Sequence, residues 1–206
     1  MPVRKAQIDQ LLPELADRHI TLSPGSWCWG DNSNKDGMTF LCRLAAHASA
    51  PIVEIGTFRG RTTYNLALNT TQKIYTIDIG RAVLTEADAN IEGKNYPPYT
   101  PGEFFLNAAP EVRQRIELII GDSAALDLSQ IHHTADMVLV DAGHTYDACL
   151  RDSYTAFKLI RPGGIVLWDD YGGDYWPGVR QAVDELARTR DMHYLPRENF
   201  VAYRAA

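Results

Sequence analysis

Asp141, Asp169 and Asp170 are the residues of this chain best placed to do chemistry, because each follows a short apolar run. Met137 to Val140 and Ile165 to Leu167 read as fully buried parallel strands. In an open α/β sheet the ligand crevice lies just beyond the carboxyl ends of such strands. Three carboxylates meeting there repel one another unless a cation compensates them, and a hard divalent ion takes oxygen ligands. The alternative is purely local: Asp170 caps a loop, Asp169 binds a backbone amide and Asp141 merely ends its strand.

The elements that would position these acids begin upstream. Pro51 to Gly60, P-I-V-E-I-G-T-F-R-G, is an apolar strand ending in Glu54, then a turn with Gly56 and Gly60, then a helix through Tyr64, Leu66, Ala67 and Leu68. This is a nucleotide-type strand, turn and helix without the G-x-G-x-x-G fingerprint. Gly56 lets the backbone bend and approach a ligand, and the amides near Thr62 at the helix start favour a carboxylate or phosphate. Both glycines can equally serve strand-to-helix packing. Ile74 to Asp78 is a second strand ending in an acid, placed to accept hydrogen bonds from ribose hydroxyls. Ile116 to Ile120 is a third, followed by Gly121-Asp122-Ser123, whose acid and hydroxyl suit the exocyclic amine of an adenine. Four consecutive strands thus finish at an acid.

In this order the motifs resemble the class I S-adenosylmethionine-dependent methyltransferases, in the metal-dependent O-methyltransferase branch of catechol and macrocin-type sugar O-methyltransferases. The resemblance covers about three quarters of the chain. It implies an α/β fold: a doubly wound, mostly parallel seven-stranded Rossmann-like sheet with a C-terminal antiparallel hairpin, here Met192 to Leu195 and Phe200 to Tyr203. It implies that the E-x-G-x-x-x-G turn, with Glu54, Gly56, Thr57 and Gly60 and the adjoining Thr62, holds the methionine part of S-adenosylmethionine. Asp78 would hold the ribose, Asp122 and Ser123 the adenine, and Asp141 would border the same cofactor. Asp141, Asp169 and Asp170 map onto the magnesium ligands, in D-A-G-H-T-Y and P-G-G-x-x-x-x-D-D-Y. Catechol methyltransferases carry a lysine general base three residues after the first metal ligand, and His144 stands there. Imidazole is a workable base near neutral pH, so His144 and Asp141 are the expected catalytic residues. The other reading of His144 is a solvated residue at the start of a helix over Thr145 to Ile160, with Leu150, Tyr154 and Phe157 on its core face. His132 and His133 fall in a polar loop and His47 on a helix, so none competes.

The chemistry implied is transfer of the sulfonium methyl to a hydroxyl oxygen of a sugar, catechol or natural-product diol, with a divalent metal, magnesium by resemblance. A metal-independent methyltransferase, a hydroxylase-like relative and a non-catalytic nucleotide-binding module are the rivals. An iron oxygenase would want two histidines and one carboxylate, and no such triad is evident.

At 206 residues and 45% hydrophobic, the chain fits one domain, 1–206, in which 1–48 forms a helical and loop cap. The polar start M-P-V-R-K-A-Q-I-D-Q and the lack of a long apolar run predict neither signal peptide nor membrane span. Cys28, Cys42 and Cys149 are too scattered for a disulfide framework or zinc site, which places the chain in a reducing cytoplasm. A net charge of -6 argues against nucleic-acid and anionic-membrane partners; a small-molecule acceptor is expected, and a homo-oligomer is left open. Further expectations are a leading helix over Ile8 to Arg18 and one from Gly37 to Ala48. Trp27 and Trp29 stand in a turn-rich loop and Asn95 to Gly102 in a proline-rich one, either of which could wall a substrate pocket. Pro177 opens a helix with Val179, Val183 and Leu186 at core spacing. Tyr171, Tyr175 and Trp176, just after the acidic pair, are placed to pack on an acceptor or in the core.

Overall fold

Ile52 to Ile55 has no polar alternation beyond Glu54, and all four residues are buried, as a strand covered on both faces must be. Neighbouring strands behave the same way and set the architecture of the computed structural model, which describes residues 3–15, 19–23, 33–80 and 99–206. In chain order these give β1 (Arg4–Lys5), α1 (Ile8–Leu11), a 3-10 turn at Pro13–Leu15, α2 (Ser33–His47), β2 (Ile52–Ile55) and α3 (Arg61–Asn69). Then follow β3 (Ile74–Asp78), α4 (Glu103–Leu106), α5 (Pro110–Arg113), β4 (Ile116–Ile120), a 3-10 turn at Ser129–Ile131 and β5 (Ala135–Val140). The last part is α6 (Tyr146–Leu159), β6 (Ile160–Trp168), α7 (Pro177–Leu186), β7 (Met192–Leu195) and β8 (Phe200–Arg204).

The strands form one sheet in the order β1-β7-β8-β6-β5-β2-β3-β4. β8 runs antiparallel to both β6 and β7, and every other pairing is parallel. The expected Rossmann-like methyltransferase architecture and hairpin are therefore present, with eight strands rather than seven. The added strand is β1, a two-residue polar stretch that pairs by backbone alone, Arg4 with His193 and Lys5 with Tyr194.

Alternate residues of each strand feed two cores. Val53, Val138 and Val166 pack with α6 and α7, through Ala156, Leu159, Val179 and Val183. Ile52, Met137 and Leu167 pack on the other face with Phe40 and Leu41 of α2 and Leu66 of α3. The buried stripe of α6 is Cys149, Ser153, Ala156 and Leu159, not the stripe through Tyr154, which is 50% exposed. Polar Ser153 is tolerated inside because its Oγ accepts the Trp168 indole N–H at 2.8 Å. The leading helix stops at Leu11. A residue before proline avoids the helical region, and Leu12 lies at φ -144°, ψ 60° before Pro13. Trp27, Trp29 and Cys28, and the 95–98 part of the proline-rich loop, lie outside the described residues. Among the described residues no helix is long and apolar enough to cross a membrane.

Candidate active site

The chain leaves β2 on one side for β3 and β4 and returns on the other for β5 and β6, so a crevice opens where β2 and β5 lie side by side. Gly56 has φ +106°, and a Cβ there would stand 1.9 Å from the carbonyl oxygen of Asp141. The close approach that requires glycine here is to the neighbouring strand end. The contact sets the turn between β2 and α3 directly against Asp141. Gly60, at φ +81°, is the N-cap of α3 and provides no side-chain cap, so the first-turn amides around Thr62 keep their affinity for an anionic group.

Glu54 is 1% exposed and faces α3, beneath the turn instead of in the crevice. Thr63 and Thr76 both donate their hydroxyls to its Oε2, Thr76 at 2.5 Å, and the Thr57 hydroxyl lies 2.6 Å from that of Thr76. Burial pushes the Glu54 carboxyl up to about 7; the two hydroxyls counter this in part and the nearby Asp78 charge adds to it. Glu54 and Thr57, expected at the methionine part of the cofactor, are joined through this hydroxyl network to α3 and β3. Neither Thr63 nor Thr76 was anticipated, since a hydroxyl in an apolar run carries no distinguishing signal.

Asp78 ends β3 with its side chain buried at the crevice edge. Its Oδ2 accepts the Phe58 amide and its Oδ1 the Gly80 amide, each at 2.8 Å, which ties the β2 and β3 loops together. The Phe58 and Tyr99 rings stand 4.5 Å apart beside it. Asp122 is more open: its Oδ1 accepts the Ala124 amide at 2.9 Å and its Oδ2 lies 3.6 Å from Arg151. Ser123 is buried and donates its hydroxyl to Asp152 of α6. Asp152 was missed by the sequence reading, although Cys149, Asp152, Ser153 and Ala156 follow the i, i+3, i+4, i+7 spacing of a buried stripe, where an acid is conspicuous.

Asp141, His144 and Asp170 each present one ligand atom, and these lie within 4.8 Å of one another. His144 is half-buried and is not the helix cap; Thr145 caps α6, accepting the Ala148 amide at 3.3 Å. Nε2 of His144 lies 2.9 Å from Oδ2 of Asp170, and its ring stacks on Trp176 with centroids 3.9 Å apart and planes 16° from parallel. Against a carboxylate that nitrogen is the donor, which leaves Nδ1 as the basic position. Asp170 holds φ +62°, a strained conformation for a non-glycine residue, and this turns its carboxylate toward the histidine. Asp169 stands apart from the expected triad: its Oδ1 accepts the Asp170 amide at 2.7 Å, so it does bind a backbone amide. Burial, with the Asp170 charge beside it, holds its carboxyl above the usual range. Tyr171 leads away from the crevice, donating to Asp184 at 2.8 Å, and Tyr175 is 80% exposed.

Two carboxylates and an imidazole at this spacing fit a divalent cation. The sequence model of the methyltransferase-domain family matches residues 53–171, over half the chain and all of this crevice. The chain belongs to the methyltransferase-domain family. No curated protein matches the methyltransferase significantly. Among solved structures it is similar to the O-methyltransferase TomG from Streptomyces achromogenes, in complex with SAM, at 20% identity and TM-score 0.55, covering 97% of this chain and 96% of that one. It is also similar to the O-methyltransferase from Bacillus cereus in complex with SAH, at 19% identity and TM-score 0.52, covering 97% and 89%. The calicheamicin methyltransferase CalS11 gives 19% identity, TM-score 0.54 and coverage of 81% and 76%. At such identities the likeness establishes the shared fold.

Proposed function

We propose that this methyltransferase moves the methyl group of S-adenosylmethionine to a hydroxyl oxygen of a small molecule, a sugar, catechol or natural-product diol. The observation that carries the reading is the meeting of Asp141, His144 and Asp170 at the strand ends beside the Gly56 turn. Asp78 and the Asp122-Ser123 corner border the cofactor side, and the related structures of TomG and the Bacillus cereus enzyme hold SAM or SAH in the same fold. The sulfonium methyl is already activated, so the protein has to align the acceptor oxygen and take up its proton. Asp170 fixes His144 in the tautomer whose Nδ1 accepts that proton, and Trp176 fixes the plane of the ring. Asp141 and Asp170, with Asp169 after a turn of its side chain or with His144, would hold a divalent cation, which when bound supplies Lewis-acid polarisation of the acceptor hydroxyl. The products are a methyl ether and S-adenosylhomocysteine.

A metal-independent version of the same reaction is favoured by one specific observation. The His144 and Asp170 pair at 2.9 Å is already a base with its orienting carboxylate. A His144 that ligates a metal cannot also be the free base, so the two versions exclude each other at His144 only where His144, and not Asp169, is the third ligand.

Calorimetry should detect S-adenosylhomocysteine binding near the micromolar range, roughly -8 kcal/mol, and no heat with NAD. Binding of NAD with none of the sulfur compound would overturn the assignment. With S-adenosylmethionine and a panel of sugar and catechol acceptors, turnover lost in chelator and restored by magnesium or manganese supports the metal version. Full turnover after exhaustive chelation selects the His144 and Asp170 pair alone.

A further inference from the structure

Asp152 is no part of the proposed cofactor or metal set, yet segments from two different loops come together on it and on the helix that carries it. The Ser123 hydroxyl, from the corner after β4, donates to its Oδ1. The Gly143 amide, from the loop after β5, lies close enough to the same carboxylate to favour its charged form. Thr155, further along α6, adds a 3.4 Å hydrogen bond to the Ser123 carbonyl. Gly143 sits between Asp141 and His144, and a Cβ on it would come 2.5 Å from the Ala148 side chain, so this loop lies flat against α6. Burial holds the Asp152 carboxyl above the usual range, and the Ser123 hydroxyl, the Arg151 charge and the Gly143 amide counter it. A helix needing only a polar residue at its edge would not retain an acid at that cost.

We infer that Asp152 is a positioning residue, which locks the loop carrying Asp141 and His144 to the Ser123 corner of the cofactor crevice. This rests on the methyl-transfer reading for the identity of the cofactor. Filling of the adenine end and the placement of the acceptor-side groups are then joined through one carboxylate. Hydrogen bonding rather than charge does the work: asparagine can turn its oxygen toward the Gly143 amide and donate to the Ser123 hydroxyl through its nitrogen.

The test compares wild type with Asp152→Ala and Asp152→Asn. It uses S-adenosylhomocysteine calorimetry and proton-carbon spectra of the histidine rings, with His144 assigned by its loss in His144→Gln. In the free protein Asp152→Ala should displace and broaden the His144 signals while Asp152→Asn restores them, a readout that needs no cofactor. S-adenosylhomocysteine affinity should fall about tenfold in Asp152→Ala and stay within about twofold in Asp152→Asn. A wild type that binds no S-adenosylhomocysteine would overturn the methyl-transfer reading and leave the His144 signals to decide this one. A folded Asp152→Ala with unchanged His144 signals and affinity, or a change in thermal unfolding alone, overturns the positioning role. So does an Asp152→Asn that loses as much as Asp152→Ala. If Asp152→Ala fails to fold, Asp152→Glu, with its carboxylate moved by one methylene, carries the same expectation at about threefold, and wild-type values in it overturn the inference.

Discussion

His144 has one ring nitrogen facing Asp170 and one ring face covered by Trp176, so its remaining freedom is the Nδ1 edge. If that edge receives the substrate proton, His144→Ala should lower turnover of an accepted acceptor by about 10²- to 10⁴-fold. S-adenosylhomocysteine affinity should barely move; a wild-type rate on every acceptor would show that the base lies elsewhere. Asp78 has a second duty, since the Phe58 and Gly80 amides depend on it as well as the ribose expected there. Asp78→Ala should therefore weaken S-adenosylhomocysteine binding by about 1 to 3 kcal/mol and lower the melting temperature in the same protein. Unchanged affinity in calorimetry would remove Asp78 from the cofactor site. Asp78, Asp141 and Asp170 were legible in the sequence because an acid after an apolar run stands at a strand end whatever the fold around it. Asp169 was not. Its carboxylate accepts the Asp170 amide, beside the left-handed backbone of Asp170, and nothing in D-D-Y announces that bond. The Trp176 stack on His144 was equally hidden, because it joins segments more than thirty residues apart.

Between elements, the tightest constraint is Gly56 of the β2 turn against the end of β5. Gly56→Ala must relieve both a left-handed φ and a contact with immovable backbone, and should destabilise by about 2 to 5 kcal/mol in urea unfolding. Gly163 supplies the control: its φ is +78° but nothing lies within 4 Å of a Cβ, so Gly163→Ala should cost only about 1 to 2 kcal/mol. Equal losses at the two sites would mean that the β2 and β5 contact yields freely. Strands β2 to β5 and β7 were readable to within a residue or two, because runs such as I-V-E-I and M-V-L-V have no other stable use in a domain of this size. Three elements escaped for different physical reasons. β1 has no side-chain pattern to read, since Arg4 and Lys5 are exposed and only their backbone is paired. The early stop of α1 was written in Pro13, which the helix expected over Ile8 to Arg18 ran through. The true core face of α6 turned on Ser153, whose burial depends on an indole donated from β6.

At the scale of the whole molecule, Glu54 couples stability to pH. Folding raises its carboxyl from 4.5 to about 7, so between those values the native protein holds a proton that the unfolded chain has released. Stability on this account falls as pH rises through that window, and the full cost above it is about 3 kcal/mol as an upper bound. Glu54→Gln removes the titration. The urea midpoint of the variant relative to wild type should therefore climb from about pH 5 to about pH 8. Parallel profiles would show that Glu54 ionises alike in the folded and unfolded chain. The pairing of β1 with β7 has a consequence in time. Residues 4 and 5 meet their partners at 193 and 194, whereas β2, β3 and β4, and then β5 and β6, can join as soon as each is made. Closing so long a loop is entropically costly and late. Assembly therefore proceeds from the middle of the sheet outward, and a growing polypeptide emerging from the ribosome holds Arg4 and Lys5 idle until residues 193 and 194 have been translated. Until they dock, the β7 rim lies open to strands of neighbouring chains, and the charged pair that arrives last is what ends that interval of aggregation risk.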